Sequence, residues 1–185
     1  GGTLTATAAM RQPVQTVMSG PAAGAVAAAH IGHQSGFDNV IACDMGGTSF
    51  DVSVIVEATP SLSAEKDLAY GIPVRVPMVD IHTIGAGGGS IARVDSAGLL
   101  RVGPESAGAQ PGPVCYGRGG TKPTVTDANL VLGRIDVSGF SGVEQTQKAL
   151  SNAQEAIKQE IGDPLELDTV DAAAAILAVS CNQLA

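Results

Sequence analysis

The sequence predicts an α/β fold, a mixed sheet with a β-hairpin and flanking helices, and three stretches of its 185 residues carry that reading. Residues 40–56 read as an apolar strand, a glycine turn and a second strand with Val52, Val54 and Val56 on one face. Residues 19–34 read as an alanine-rich helix, and residues 143–185 as two further helices. The length suffices for one domain with a sizeable core. Hydrophobic residues make up 44% but aromatic ones only 3%, and there are 24 glycines, so the core must be built from Ala, Val, Leu and Ile in close backbone packing. A net charge of −8 with no basic run excludes a nucleic-acid surface.

The opening Gly1-Gly2-Thr3-Leu4-Thr5 lacks a methionine and any targeting character, so the chain is expected to be a piece of something longer, truncated at Ala185 as well. In residues 19–34, Ser19 or Gly20 can cap a helix with Pro21 in its first turn. Its alanines and Gly24 leave a bare surface that can lie close to a neighbouring element. His30 and His33 stand a turn apart, which suits a metal pair or, more ordinarily, two surface polar residues.

The hairpin holds the chemistry. Gly46 and Gly47 remove the Cβ atoms that would keep a ligand away, so the turn N–H groups can cradle an anion, and Thr48 and Ser49 add hydroxyl donors. The carboxylates at its two ends, Asp44 and Asp51, repel phosphate directly and make sense with a Mg²⁺ ion or its waters between. Walker and dinucleotide loops both open a helix, whereas this turn opens a strand. The residues alone also fit an ordinary hairpin whose glycines only make the turn.

Residues 58–70 read as a polar connection and 72–82 as extended chain confined by prolines to an edge or to strand ends. Asp80 and His82, two apart, point to the same side just before Gly85-Ala86-Gly87-Gly88-Gly89-Ser90. They are candidates for binding a divalent metal or acting as a base, against the plain reading of strand-end residues bonded to backbone. Residues 91–102 suggest a hairpin turning at Asp95-Ser96-Ala97-Gly98. Residues 103–120 form a long loop with six glycines and three prolines, in which Arg118 is the one cation, suited to phosphate or a substrate carboxylate or simply solvated. A short helix capped by Thr126 follows and ends near Gly133, with Asp127 in its first turn. The helix over 143–161 carries Val143, Leu150, Ile157 and Ile161 and is stopped by Gly162-Asp163-Pro164; another runs from Asp168 or Thr169 to the end. Cys43, Cys115 and Cys181 are dispersed and form no Cys-x-x-Cys pair, and no apolar run of about 18 residues occurs. A reducing, cytoplasmic setting without a membrane span follows, with Cys43 and Cys181 as small buried hydrophobes.

Asp44-Met45-Gly46-Gly47-Thr48-Ser49-Phe50-Asp51-Val52-Ser53 resembles the second phosphate motif of the actin-like ATPase superfamily, which includes sugar kinases and heat-shock chaperone ATPases. Ser19-Gly20-Pro21-Ala22-Ala23-Gly24, Asp80-Ile81-His82-Thr83-Ile84-Gly85-Ala86-Gly87-Gly88-Gly89-Ser90, Gly103-Pro104-Glu105-Ser106-Ala107-Gly108 and Pro111-Gly112-Pro113 narrow the resemblance to the hydantoinase A / 5-oxoprolinase family. It implies a partial domain of an actin-like, ribonuclease H-like ATPase lobe: connecting helix 19–34, phosphate hairpin 40–56, glycine-loop insertion 80–120 and helical tail 143–185. The implied activity is ATP-dependent opening of a cyclic amide, 5-oxoproline or a hydantoin, by phosphorylation of the ring carbonyl. ATP and Mg²⁺ are then the cofactors and a hydantoinase B-type subunit or domain the partner. Gly46, Gly47, Thr48 and Ser49 would bind the phosphates and Asp44 and Asp51 orient Mg²⁺ or its waters. Asp80 and His82 would lie near the substrate carbonyl. Gly87, Gly88 and Arg118 are further contacts for substrate or phosphate. The resemblance makes Asp127 a partner for Asp80, His82 or Cys115, the first three forming a second divalent-metal set. Two other readings stay open: the ATP-using subunit of an acetone-type carboxylase, and a non-catalytic nucleotide-binding or assembly module. With no first phosphate hairpin and no downstream adenosine loop, this piece is expected to be catalytically silent alone.

Overall fold

The computed structural model describes residues 4–64, 66–68, 72–136, 138 and 146–184, so the first residues of the helix expected from 143 lie outside the described residues. The chain forms two compact units where one domain was expected: residues 1–44 with 51–83, and residues 45–50 with 84–185. The chain passes between them in the middle of the hairpin, so the hairpin tip is counted with the second unit.

The first unit opens with a short helix α1 (Ala6–Arg11) and a 3₁₀ turn at Pro13–Thr16, followed by α2 (Ser19–Gln34). Neither Ser19 nor Gly20 caps α2. Met18 is the N-cap in a left-handed conformation (φ 57°), with no side-chain bond to the helix. Ala22 and Ala25 of α2 pack on Val79 and Ile81, and the small side chains allow that approach. The hairpin strands are β1 (Val40–Met45) and β2 (Phe50–Val56); β2 also pairs with β3 (Thr59–Pro60) and with β8 (His82–Ile84). Along β2 the period of two is visible. Ser53 and Ile55 are buried, while Val54 and Val56, two of the three valines expected to share a face, are exposed.

Residues 58–70 are not a plain polar connection. They hold β3, which pairs with β2, and β4 (Leu62–Ser63) and β5 (Lys66–Leu68), which form short ribbons with β7 (Met78–Val79) and β6 (Ile72–Val74) respectively. Antiparallel pairing across a reversal satisfies the backbone where side-chain pattern gives no hint. Cys43 is exposed instead of buried, because it alternates with the half-buried Val40 and Ala42 along β1; Cys181 is exposed too, and only Cys115 is buried.

In the second unit, β9 (Ser90–Val94) and β10 (Leu100–Ser106) form the expected hairpin, with Leu100 opposite Val94 and Val102 opposite Ala92. β10 extends into the segment expected to be loop, and Val114–Tyr116 there form a 3₁₀ turn. Helix α3 (Val125–Val131) is capped by Thr124, not Thr126. Thr124 accepts the Asp127 N–H, and the Asp127 carboxylate accepts the Thr124 N–H, a reciprocal capping box. Helix α4 (Thr146–Ile157) is not stopped at Gly162. It continues through a π-turn at Lys158–Gly162 into α5 (Asp163–Leu165) and ends at Glu166. The wide turn re-phases the ladder, so that Pro164 falls in a first turn where its missing N–H leaves nothing unpaired. Ile157 and Ile161 join Ala172, Ala173 and Ile176 of α6 (Thr169–Leu184) and Val102 and Ala128 in the main core. Among the described residues no helix is long and apolar enough to cross a membrane.

Asp127 is fully buried and holds this unit together. Its Oδ1 accepts the Cys115 N–H (2.8 Å), and its Oδ2 accepts the N–H groups of Val114 (3.2 Å) and Thr124 (2.9 Å) and the Thr124 hydroxyl (2.8 Å). Asp127→Ala strands three buried N–H donors and is expected to destabilise the protein by about 3–5 kcal/mol, while Thr124→Ala costs about 1–2 kcal/mol, both read by urea denaturation.

Candidate functional site

The site is built around the hairpin tip in the second unit. Gly46 N–H donates to the Ser49 carbonyl at 2.9 Å and closes the turn. The glycine loop then takes hold of the tip from the other side: Gly88 N–H donates to the Gly46 carbonyl (3.0 Å) and Gly89 N–H to the Gly47 carbonyl (2.7 Å). The fit is close. A Cβ on Gly87 would stand 2.7 Å from the Gly46 oxygen and 2.8 Å from Gly47 C and Thr48 N, and one on Gly89 would stand 2.7 Å from the Gly47 oxygen. With the tip carbonyls pinned, the exposed Gly47 and Thr48 N–H groups have no bond partner among the described residues. That leaves a pair of oriented donors, as an anion cradle requires.

The glycine loop is itself held. Thr126 gives both its N–H and its hydroxyl to the Gly88 carbonyl, each at 2.8 Å, and Ala107 N–H donates to the Gly89 carbonyl at 2.8 Å. Gly87 N–H donates to Ser90 Oγ at 2.9 Å, and Ser90 N–H returns to the Gly87 carbonyl. Gly87 and Gly88, expected as contacts for substrate or phosphate, have their amides engaged within the protein.

Gly47 and Thr48 line a cleft of about 350 Å³ together with Tyr116, Arg118 and Thr126. The Arg118 guanidinium lies over the Tyr116 ring at 5.6 Å, which orients the charge in the cleft. Ser49 is half-buried. Burial, and then the neighbouring Asp127 charge, push the Cys115 thiol far above its usual range, so it carries no nucleophile.

In the first unit Asp44 and Asp51 share a cleft of about 260 Å³ with Cys43, Ser53 and the bare face of α2 at Gly24 and Ala28. Asp51 accepts the Thr83 hydroxyl at 2.6 Å. Asp80 and His82 are exposed on either side of the buried Ile81, as their spacing requires, and do not line that cleft. His33 is bonded to Asp38 at 2.7 Å rather than paired with His30.

The metal set of Asp80, His82 and Asp127 does not form. Among the described residues no three His, Cys, Asp or Glu side chains gather to hold an ion, and both oxygens of Asp127 accept bonds from protein donors. Sequence reading also missed Tyr116, Ser90 and Thr124. Only Thr124 had a readable signal, the Thr-x-x-Asp spacing of a capping box.

A glycine-tipped hairpin in a partial, mixed helix-and-sheet domain is the architecture of the actin-like ATPases. The chain belongs to the hydantoinase/oxoprolinase family, whose model matches residues 1–185. It is 43% identical to caprolactamase subunit alpha of Pseudomonas jessenii over 96% of this chain and 25% of that protein. It is 47% identical to the 5-oxoprolinase PfmaA of Pestalotiopsis fici over 70% of this chain and 10% of that one. Its structure resembles that of nucleotide-free acetone carboxylase, solved for the mechanism of ATP-dependent acetone carboxylation, at a TM-score of 0.77 and 33% identity, covering 90% of this chain and 23% of that one. The chain thus spans a quarter or less of the length of these relatives.

The clamp gives a direct test. Gly87→Ala is expected to destabilise the protein by about 1–3 kcal/mol through overpacking against backbone, whereas Gly85→Ala, which meets open space, stays within about 0.5 kcal/mol of the parent in thermal unfolding.

Proposed function

We propose that the protein carrying this chain is an ATP-dependent hydrolase of small cyclic amides, of the 5-oxoproline or hydantoin kind. The observation that carries this reading is the pinned tip: two free, oriented N–H groups at Gly47 and Thr48 beside the Arg118 charge. Likeness to a caprolactamase subunit and a 5-oxoprolinase supports the cyclic-amide substrate.

An unstrained lactam carbonyl is a poor electrophile. In the proposed reaction its oxygen attacks the γ-phosphorus of ATP, an O–P bond forms, and ADP leaves with the bridging oxygen. Water adds to the activated carbon, and the ring C–N bond breaks as nitrogen takes a proton, leaving an acyl phosphate. A second water hydrolyses that acyl phosphate to the carboxylate and inorganic phosphate. The N–H groups of Gly47 and Thr48 hold the phosphates, with Gly46 and Ser49 closing the turn and Arg118 answering the negative charge. The exposed Asp44 and the half-buried Asp51 would hold Mg²⁺ through its waters, as that ion keeps several waters and few protein ligands. When bound, that ion would neutralise charge on the nucleotide phosphates. Asp80 and His82 are assigned to the substrate carbonyl. The named relative is a subunit, which supports a second, hydantoinase B-type subunit as partner, and we infer that this 185-residue piece does not turn over ATP alone. Three free cysteines support a reducing, cytoplasmic setting.

A second reading, an acetone-type carboxylase subunit, is favoured by the likeness to acetone carboxylase. ADP release by the intact protein with its partner separates them: stimulation by 5-oxoproline or a hydantoin is expected, and stimulation only by acetone with bicarbonate overturns the amide reading. Thr48→Ala and Asp44→Asn are each expected to lower ATP turnover by about 10²-fold; normal turnover in both would remove these residues from the site.

A further inference from the structure

The β9–β10 hairpin sets Arg93 directly opposite Arg101. Residues so paired project to the same face, and like charges there repel one another. Arg101 is answered, since its Nε donates to Asp95 Oδ2 at 2.9 Å. Asp95 is fully engaged by this turn: its other oxygen accepts the N–H groups of Ala97 and Leu99 at 2.9 and 3.0 Å. The Leu99 bond first, and then Arg101, hold its carboxyl below the ordinary range. Arg93 is half-buried and has only a neutral partner, the Gly103 carbonyl, at 3.0 Å from Nη1; no carboxylate pairs with it among the described residues.

Both arginines line a cleft of about 430 Å³, walled by Ala86, Gly103, Pro104 and Gln183. Gln183 is fixed from α6 by its bond to the Val102 carbonyl at 3.0 Å. The volume lies in the range of small-molecule sites, about 300–1,000 Å³. In a chain of net charge −8, this one cleft holds two arginines against a single carboxylate that already accepts three bonds.

We propose that this cleft binds the oxyanion of a small molecule, a phosphate or a carboxylate, between Arg93 and Arg101. A bound anion relieves the cross-strand repulsion, and two planar guanidinium groups offer paired N–H donors to its oxygens. The site is distinct from the hairpin tip and does not rest on the proposed amide chemistry.

The test is arginine modification by phenylglyoxal in the intact protein, read peptide by peptide by mass spectrometry, in inorganic phosphate or in succinate against sodium chloride at equal ionic strength. With the anion at about five times its dissociation constant, modification of Arg93 and Arg101 is expected to slow about sixfold, while the exposed Arg11 and Arg134 keep their rates. Protection by phosphate alone identifies a phosphoryl ligand, and protection by succinate alone a carboxylate. Unchanged rates at both arginines in both anions overturn the proposal, as does complete inertness of both in chloride alone, which means that the protein itself already fills the cleft. Arg101→Gln is expected to weaken the protection of Arg93 about tenfold, the loss of a charge-assisted bond; undiminished protection in that variant overturns the paired site.

Discussion

Two glycine turns hold each other, and the geometry of the hairpin tip depends on that contact. A turn of Gly46, Gly47 and Thr48 has little stiffness of its own, because glycine backbone is free to choose among many conformations. Its shape is imposed when Gly88 and Gly89 donate to the carbonyls of Gly46 and Gly47. A peptide whose carbonyl is fixed has its opposite face fixed too, since the unit is planar. Pinning the oxygens on one side therefore aims N–H groups on the other. No side chain at Gly87 or Gly89 would allow the two backbones to come so close.

Support passes outward from that contact through the second unit. Thr126 holds Gly88, and the neighbouring Thr124 and Asp127 cap the same helix. Asp127 in turn fastens the Val114–Tyr116 turn, from which Tyr116 and Arg118 reach the cleft. A buried carboxylate with four donors is stable only while all of them are present, so α3 and the 114–116 turn are coupled through one side chain. This explains why a segment so rich in glycine and proline as 103–120 is ordered here: its backbone is anchored from within.

The legibility of the sequence followed the kind of signal each element carries. The α2 helix and the 40–56 hairpin rest on period and composition, and both stand close to where the pattern put them. The ribbons within 58–79 and the continuation of α4 past Gly162 depend on pairing partners and on a re-phased ladder, which leave no local trace. Caps were misread for the same reason. Thr124 and Thr126 are equally good capping residues in isolation, and the choice between them was made by what each could bond.

By itself the sequence determined the family, because glycine, hydroxyl and carboxylate at fixed spacing reflect chemistry that has few substitutes. The tertiary structure decided which backbone amides remain available. Gly87 and Gly88 are expected as contacts for substrate or phosphate, and in the folded chain their N–H groups are directed at Ser90 and at the tip. Asp127 looked like a ligand, yet its oxygens are filled by buried backbone. Hydrogen-bonding capacity is limited for each atom, and only the folded chain settles whether a partner from within the protein claims it or leaves it for a ligand.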